Sequence, residues 1–119
     1  MPGFPPNRAP DKRCKPKEKN ESKMIDPVTY TREDDLAVIR IDNPPVNALG
    51  RDVRAGLVSA MDRFDDDADA KAAIVTGAGR LFSGGADIRE FDRPQIDPSL
   101  TYVTLCFDRA TKPVIAAIQ

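Results

Sequence analysis

The sequence predicts an α/β fold, and three observations predict it. Two β-rich runs, at residues 28–32 and 36–41, stand on either side of a short acidic break. An amphipathic stretch over residues 51–64 follows them. A second apolar run at 72–75 and a second amphipathic stretch at 100–110 then repeat the order of strand before helix, the pattern of a layered α/β domain.

Each element has its own local reason. Glu33-Asp34-Asp35 separates the first two runs and reads as the turn of a hairpin, whose second strand, Leu36-Ala37-Val38-Ile39-Arg40-Ile41, is the more buried. Asn43-Pro44-Pro45 ends the pairing, because neither proline has an N–H to give a ladder. Residues 46–49 then form a loop at the strand's carboxyl end, where ligand loops of α/β folds commonly lie. Val53, Leu57, Ala60, Met61 and Phe64 recur at helical spacing and make one core-facing stripe, not a cofactor box. Asp65-Asp66-Asp67 with Asp69 lacks the spacing and turn glycine of a calcium loop and reads as a solvated loop. Ala72-Ala73-Ile74-Val75 is a buried strand bounded by Gly77 and Gly79. After a polar linker over 92–98, Leu100, Val103, Phe107 and Ala110 give a second amphipathic helix, which Lys112-Pro113 breaks. Residues 114–118 are wholly apolar and suit an interior strand. With neighbours missing, that run is expected to aggregate, mispair or dock on a partner.

Composition sets the limits. A chain of 119 residues with 40% hydrophobic and 31% charged residues is globular and at most one domain. The net charge of −1 gives no overall attraction to nucleic acid or to an anionic membrane, although residues 1–23 carry seven Lys/Arg against three Asp/Glu. That stretch holds Pro2, Pro5, Pro6, Pro10 and Pro16 and almost nothing apolar, so it reads as a disordered basic extension ahead of a domain over 24–119. It lacks the apolar core of a secretory signal and the amphipathic character of a transit peptide, and Met24 is the expected natural start. Cys14 and Cys106 are too isolated for a disulfide framework or a CxxC site, and a reducing, cytoplasmic setting fits them. The absence of histidine removes His-assisted nucleophile triads and His-ligated zinc, and no metal site is expected.

The chemistry concentrates between Ala72 and Glu90. Gly77-Ala78-Gly79 begins like a dinucleotide motif, but Phe82 stands where the third glycine belongs, and the Lys-Ser/Thr of a P-loop is missing. Gly84-Gly85 permits positive φ and a close approach of backbone to ligand, with the following N–H groups as donors. By spacing alone, an ordinary turn explains it equally well.

Phe82-Ser83-Gly84-Gly85-Ala86-Asp87-Ile88-Arg89-Glu90, preceded by Ile74-Val75-Thr76-Gly77, resembles the signature of the enoyl-CoA hydratase/isomerase (crotonase) superfamily. Asn43-Pro44-Pro45-Val46-Asn47-Ala48-Leu49 resembles the family's first acyl-CoA loop. Residues 112–119 resemble the strand entering its second oxyanion element. The wording is nearest to the hydratase/isomerase part of bifunctional fatty-acid β-oxidation enzymes, and the resemblance covers about residues 28–119.

The resemblance implies the amino-terminal part of a crotonase-like spiral of ββα units. It implies acyl-CoA or enoyl-CoA as ligand, with coenzyme A entering as the substrate thioester and no resident cofactor. It assigns the first oxyanion donor to the Ala86 backbone N–H, with Ala48, Gly84, Asp87, Ile88 and Arg89 in the CoA wall. Many relatives carry a basic residue where Pro44 stands, so this chain departs from the family pattern at one possible phosphate contact. The second oxyanion donor and the glutamates that move the proton match no position in these residues. The expected function is therefore the acyl-CoA-binding part of an enoyl-CoA hydratase/isomerase-type enzyme, incomplete and inactive alone. The alternatives are a non-catalytic acyl-CoA-binding or assembly fragment, or an unstable truncated product. Trimer-type self-association, or a chain that supplies the missing half, are the partners this implies.

Overall fold

The computed structural model describes residues 26–94 and 96–119. The expected extension over 1–23, the start at Met24, and Cys14 lie outside the described residues. Strands β1 (Val28–Glu33) and β2 (Leu36–Ile41) form the expected hairpin, with Glu33 opposite Leu36 and Asp34 at φ 57° in its turn. Helix α1 (Arg51–Asp66) then carries the chain over to β4 (Ala72–Gly77), which pairs parallel with β2. Helix α2 (Leu100–Asp108) precedes β6 (Val114–Ala117), which pairs parallel with β4. The sheet order is thus β1-β2-β4-β6, and a separate two-stranded sheet joins β3 (Ala48–Leu49) to β5 (Gly85–Ala86).

The period-2 alternation of β2 and β4 decides which face is covered. Ala37, Ile39 and Ile41 lie beside Ala73, Val75 and Gly77 and face α1, whose Val53, Leu57, Met61 and Phe64 complete the core with Val103 of α2. Phe64 and Ile39 are fully buried, and such side chains contribute about 1.5–3 kcal/mol each. The opposite face carries Leu36, Val38 and Ile74, all partly covered, and Ile115, 54% exposed. Both ends of α1 are held by residues distant in sequence. At its carboxyl end the Lys112 ammonium donates to the carbonyls of Phe64, Asp67 and Ala70 at 2.8, 3.0 and 2.9 Å, and it lies 4.3 Å from the centre of the Phe64 ring. This ties the last turn of α1 to the segment that follows it and places a cation at the negative end of the helix dipole. Asp67 itself accepts the Tyr30 hydroxyl at 2.8 Å and pairs with Arg32, so the acidic run is partly built into the fold.

Two sequence expectations need correction. The apolar run forms β6 over Val114–Ala117, shorter than the expected 114–118, and among the described residues its outer side meets no further strand, as expected for a run whose neighbours are missing. Leu100 was expected in the core stripe of the second helix, yet it is 36% exposed. It is the first residue of α2, and Val103 is the one α2 residue buried outright. Phe107 and Ala110 are partly covered against the core.

Candidate functional site

The two loops that carry the acyl-CoA resemblance meet in the small β3–β5 sheet. Ala48 lies opposite Gly85, and Leu49 lies opposite Ala86. A pair this short cannot hold itself, and Asn47 explains why it persists. Asn47 is 3% exposed and sits at φ 54°, a left-handed conformation that Asn tolerates better than most residues. Its amide donates to the carbonyls of Ala78, Leu81 and Phe82 at 3.1, 2.9 and 3.3 Å, while its Oδ1 accepts the Asn43 N–H at 2.8 Å. Ser83 returns the connection, donating its hydroxyl to the Asn47 carbonyl at 2.7 Å and accepting the Gly85 N–H at 3.0 Å. Gly84 donates its N–H to the Val46 carbonyl at 2.7 Å, and Asn43 Nδ2 donates to the Ala48 carbonyl at 2.9 Å. Gly77 makes the turn possible, since a Cβ there would stand 2.4 Å from the Phe82 carbonyl oxygen. In the Gly84-Gly85 pair only Gly85 takes positive φ, at 96°, and it redirects the backbone into Ala86.

Beyond Ala86 the chain enters a single 3₁₀ turn (Ile88–Glu90). Asp87, 8% exposed, caps it by accepting the Arg89 N–H at 3.0 Å. The Arg89 guanidinium then grips the same carboxylate through Nε at 2.9 Å and Nη2 at 2.7 Å. This fork, with the backbone N–H of Arg89 second, holds the Asp87 carboxyl down at about 2. Asp87 is therefore ionised and fully engaged, which suits a structural part and not a proton carrier. Ile88 is 74% exposed, and the Arg89 side chain is 79% exposed.

Glu90 ends the 3₁₀ turn, yet its carboxylate serves another element. The helix it serves is α1, not its own turn. Its Oε2 accepts the Arg51 N–H at 2.9 Å, at a helix end where Gly50 offers no side-chain cap. Its Oε1 accepts Arg54 Nη1 at 2.8 Å, and these two donors, Arg54 first, lower its pKa.

Arg54 was not anticipated as part of the site. It is 6% exposed, and donates to the carbonyls of Pro98, Leu49 and Ile96 at 2.6, 2.9 and 2.9 Å besides pairing with Glu90. A signal existed: Arg54 stands three, four and seven positions before Leu57, Val58 and Met61, on the buried stripe itself. Asn47 had a weaker one, being an Asn at a turn where a positive φ is needed.

Of the six predicted residues, Ala48, Gly84 and Ala86 come together at the β3–β5 sheet, with Gly84 and Ala86 exposed. Asp87, Ile88 and Arg89 follow directly in the capped turn. Asp87 and Arg89 also line a cleft of about 380 Å³ at the amino end of α1, with Asp42, Asn43, Arg51 and Glu90; Ala48, Gly84, Ala86 and Ile88 do not line it. The β3–β5 loop pair and this polar cleft are thus separate features, joined through Asp87 and Arg89. Among the described residues no cluster of three or more His, Cys, Asp or Glu could hold a metal, and no helix is long and apolar enough to cross a membrane.

The enoyl-CoA hydratase/isomerase family model matches residues 31–119. The peroxisomal bifunctional enzyme of Homo sapiens is 44% identical over 96 residues, covering 76% of this chain and 13% of that protein. A probable enoyl-CoA hydratase of Bacillus subtilis is 39% identical over 91 residues, covering 71% of this chain and 35% of the relative. Among solved structures, a probable enoyl-CoA hydratase/isomerase from Mycobacterium abscessus superposes with a TM-score of 0.69 at 35% identity, over 81% of this chain and 38% of that one. An enoyl-CoA hydratase/carnithine racemase from Magnetospirillum magneticum gives 0.67 at 30%, over 80% and 39%. The chain spans well under half the length of each of these relatives. By the family model, these identities and the shared fold, the chain belongs to the enoyl-CoA hydratase/isomerase family.

Proposed function

We propose that this chain forms the acyl-CoA-binding part of an enoyl-CoA hydratase/isomerase-type site of fatty-acid β-oxidation, and that the 119 residues alone do not turn substrate over. The observation that supports this best is the β3–β5 pairing, which sets the Asn43–Leu49 loop beside the Gly84–Ala86 loop under the Asn47 staple. In this reading the Ala86 N–H donates to the thioester oxygen, where negative charge develops as the double bond adds water or shifts. It requires that this N–H face the open side of β5 rather than Leu49. Ala48, Gly84, Asp87, Ile88 and Arg89 form the wall around the CoA portion, and Asp87 shapes the loop without moving a proton. No resident cofactor enters. Homo-oligomerisation of the trimer type, or a partner chain that supplies the second donor and the glutamates, completes the site. The cytoplasm is the compartment this reading carries, although several relatives are named peroxisomal or glyoxysomal.

The test is calorimetric binding of CoA and of crotonyl-CoA, run beside a hydration assay. Binding of both without turnover is the expected result. Turnover comparable to an intact hydratase would reject the incomplete-site reading, and failure to bind either ligand would reject the acyl-CoA reading.

A further inference from the structure

We infer that Arg54 is a positioning residue for the thioester-facing loop, fixing where the Ala86 N–H is presented by gripping the backbone on both sides of it. The inference rests on the acyl-CoA reading of that loop. On one side, Arg54 Nη1 holds the carbonyl of Leu49, the register partner of Ala86. On the other, the same Nη1 holds Glu90, which ends the turn capped by Asp87. Nε and Nη2 take the carbonyls of Pro98 and Ile96, so the returning loop is fastened to the same group.

Packing anchors the loop where Leu49 and Phe82 lie against the core and Asp87 is buried, but not at the residues that face outward. Gly84, Ala86, Ile88, Arg89 and Phe91 are all exposed, whereas Arg54 stands among the buried Val53, Leu57 and Val58 of α1. The core thus fixes the guanidinium, and the guanidinium fixes the loop. Its planar fork directs donors to four acceptors at once, which an ammonium with three donors on one atom cannot reproduce. A backbone donor serves a reacting oxygen only if its place is held before the ligand arrives.

The experiment compares the 119-residue chain with its Arg54→Lys and Glu90→Gln variants, using CoA and crotonyl-CoA isotope-labelled at its thioester carbonyl carbon. Expected is a displaced carbonyl resonance in the bound wild type. In either variant that folds by circular dichroism, the resonance returns toward its free position and crotonyl-CoA affinity falls about fivefold to tenfold, the worth of one N–H···O contact. CoA affinity, which the same loop serves through its wall but which does not use the thioester oxygen, falls by less than crotonyl-CoA affinity does. A folded variant that keeps the full displacement overturns the positioning role and leaves the acyl-CoA reading standing. A wild type that binds crotonyl-CoA with no displacement overturns the donor assignment at Ala86, and the inference with it.

Discussion

Glu90 caps the helix that begins at Arg51, 39 residues earlier in the chain, by accepting the Arg51 N–H at 2.9 Å. The amino end of α1 and the turn after the glycine loop therefore stand or fall together. Glu90→Ala should cost about 2–3 kcal/mol, combining a lost cap with a buried Arg54 left without its counter-charge. That figure lies low in the range because 30% of the Glu90 side chain meets solvent. Glu90→Gln keeps an acceptor and should cost about 1 kcal/mol. Urea denaturation of both variants measures the difference, and equal losses would mean that the charge on Glu90 contributes nothing.

Asn47→Ala should destabilise the chain by about 2–4 kcal/mol, since it leaves the carbonyls of Leu81 and Ala78 unsatisfied and places a Cβ-bearing residue without local compensation at φ 54°. Asn47→Gly removes the same bonds but relieves the backbone cost. The gap between the two variants, read from their melting curves, isolates the left-handed conformation. Should Asn47→Ala melt with wild type, the staple would not be what holds β3 to β5.

Acid should loosen the site before the sheet. The folded pKa of Asp87 lies at about 2, below its ordinary value near 3.8, so its stabilising contribution is complete above that ordinary value and is lost as pH falls toward 2. Glu90 is shifted in the same direction and adds to the same acid limb. Amide exchange followed from pH 5 to pH 2 should therefore quicken first at Arg89 and Arg51, whose N–H groups these carboxylates accept. Tyr30 gives the opposite limb. Burial, then its bond to Asp67, raises its hydroxyl from 10.0 to about 12, so its contribution holds below 10 and fades as pH rises through 12. Tyr30→Phe should abolish the late phase of an alkaline absorbance titration.

Elements whose identity depends on local pattern were legible in the sequence. Alternation in β2 and the 3-4 stripe of α1 each point one face at the core, and the core residues Ile39, Leu57 and Phe64 follow directly. The motif residues Ala48, Gly84 and Ala86 were legible through family pattern and not through glycine chemistry. What stayed hidden depends on chain distant in sequence. The stripe position of Arg54 could show that it is covered but not that the 96–98 carbonyls cover it, and nothing near Glu90 in the chain shows that it caps a helix beginning at Arg51.

Crotonyl-CoA hydration by the purified 119-residue chain should fall short of an intact hydratase by at least about 10²–10³. In the proposed reading one oxyanion donor, at Ala86, is supplied, and removing a single such donor typically costs about 2.7–4 kcal/mol of transition-state stabilisation. The general acid/base typically supplies a further factor of about 10²–10⁴, although deficits within one catalytic unit do not simply multiply. Glu90 is the nearby carboxylate that could substitute, and its surroundings argue against it. One oxygen is held by Arg54 and the other by the Arg51 N–H, and both contacts lower its pKa, which weakens it as a base. The assay follows loss of the conjugated-thioester absorbance in wild type and Glu90→Gln. Residual rates should be equal and near background. A substantial rate that disappears in Glu90→Gln, while crotonyl-CoA still binds, would release Glu90 from its capping role and make it the proton carrier.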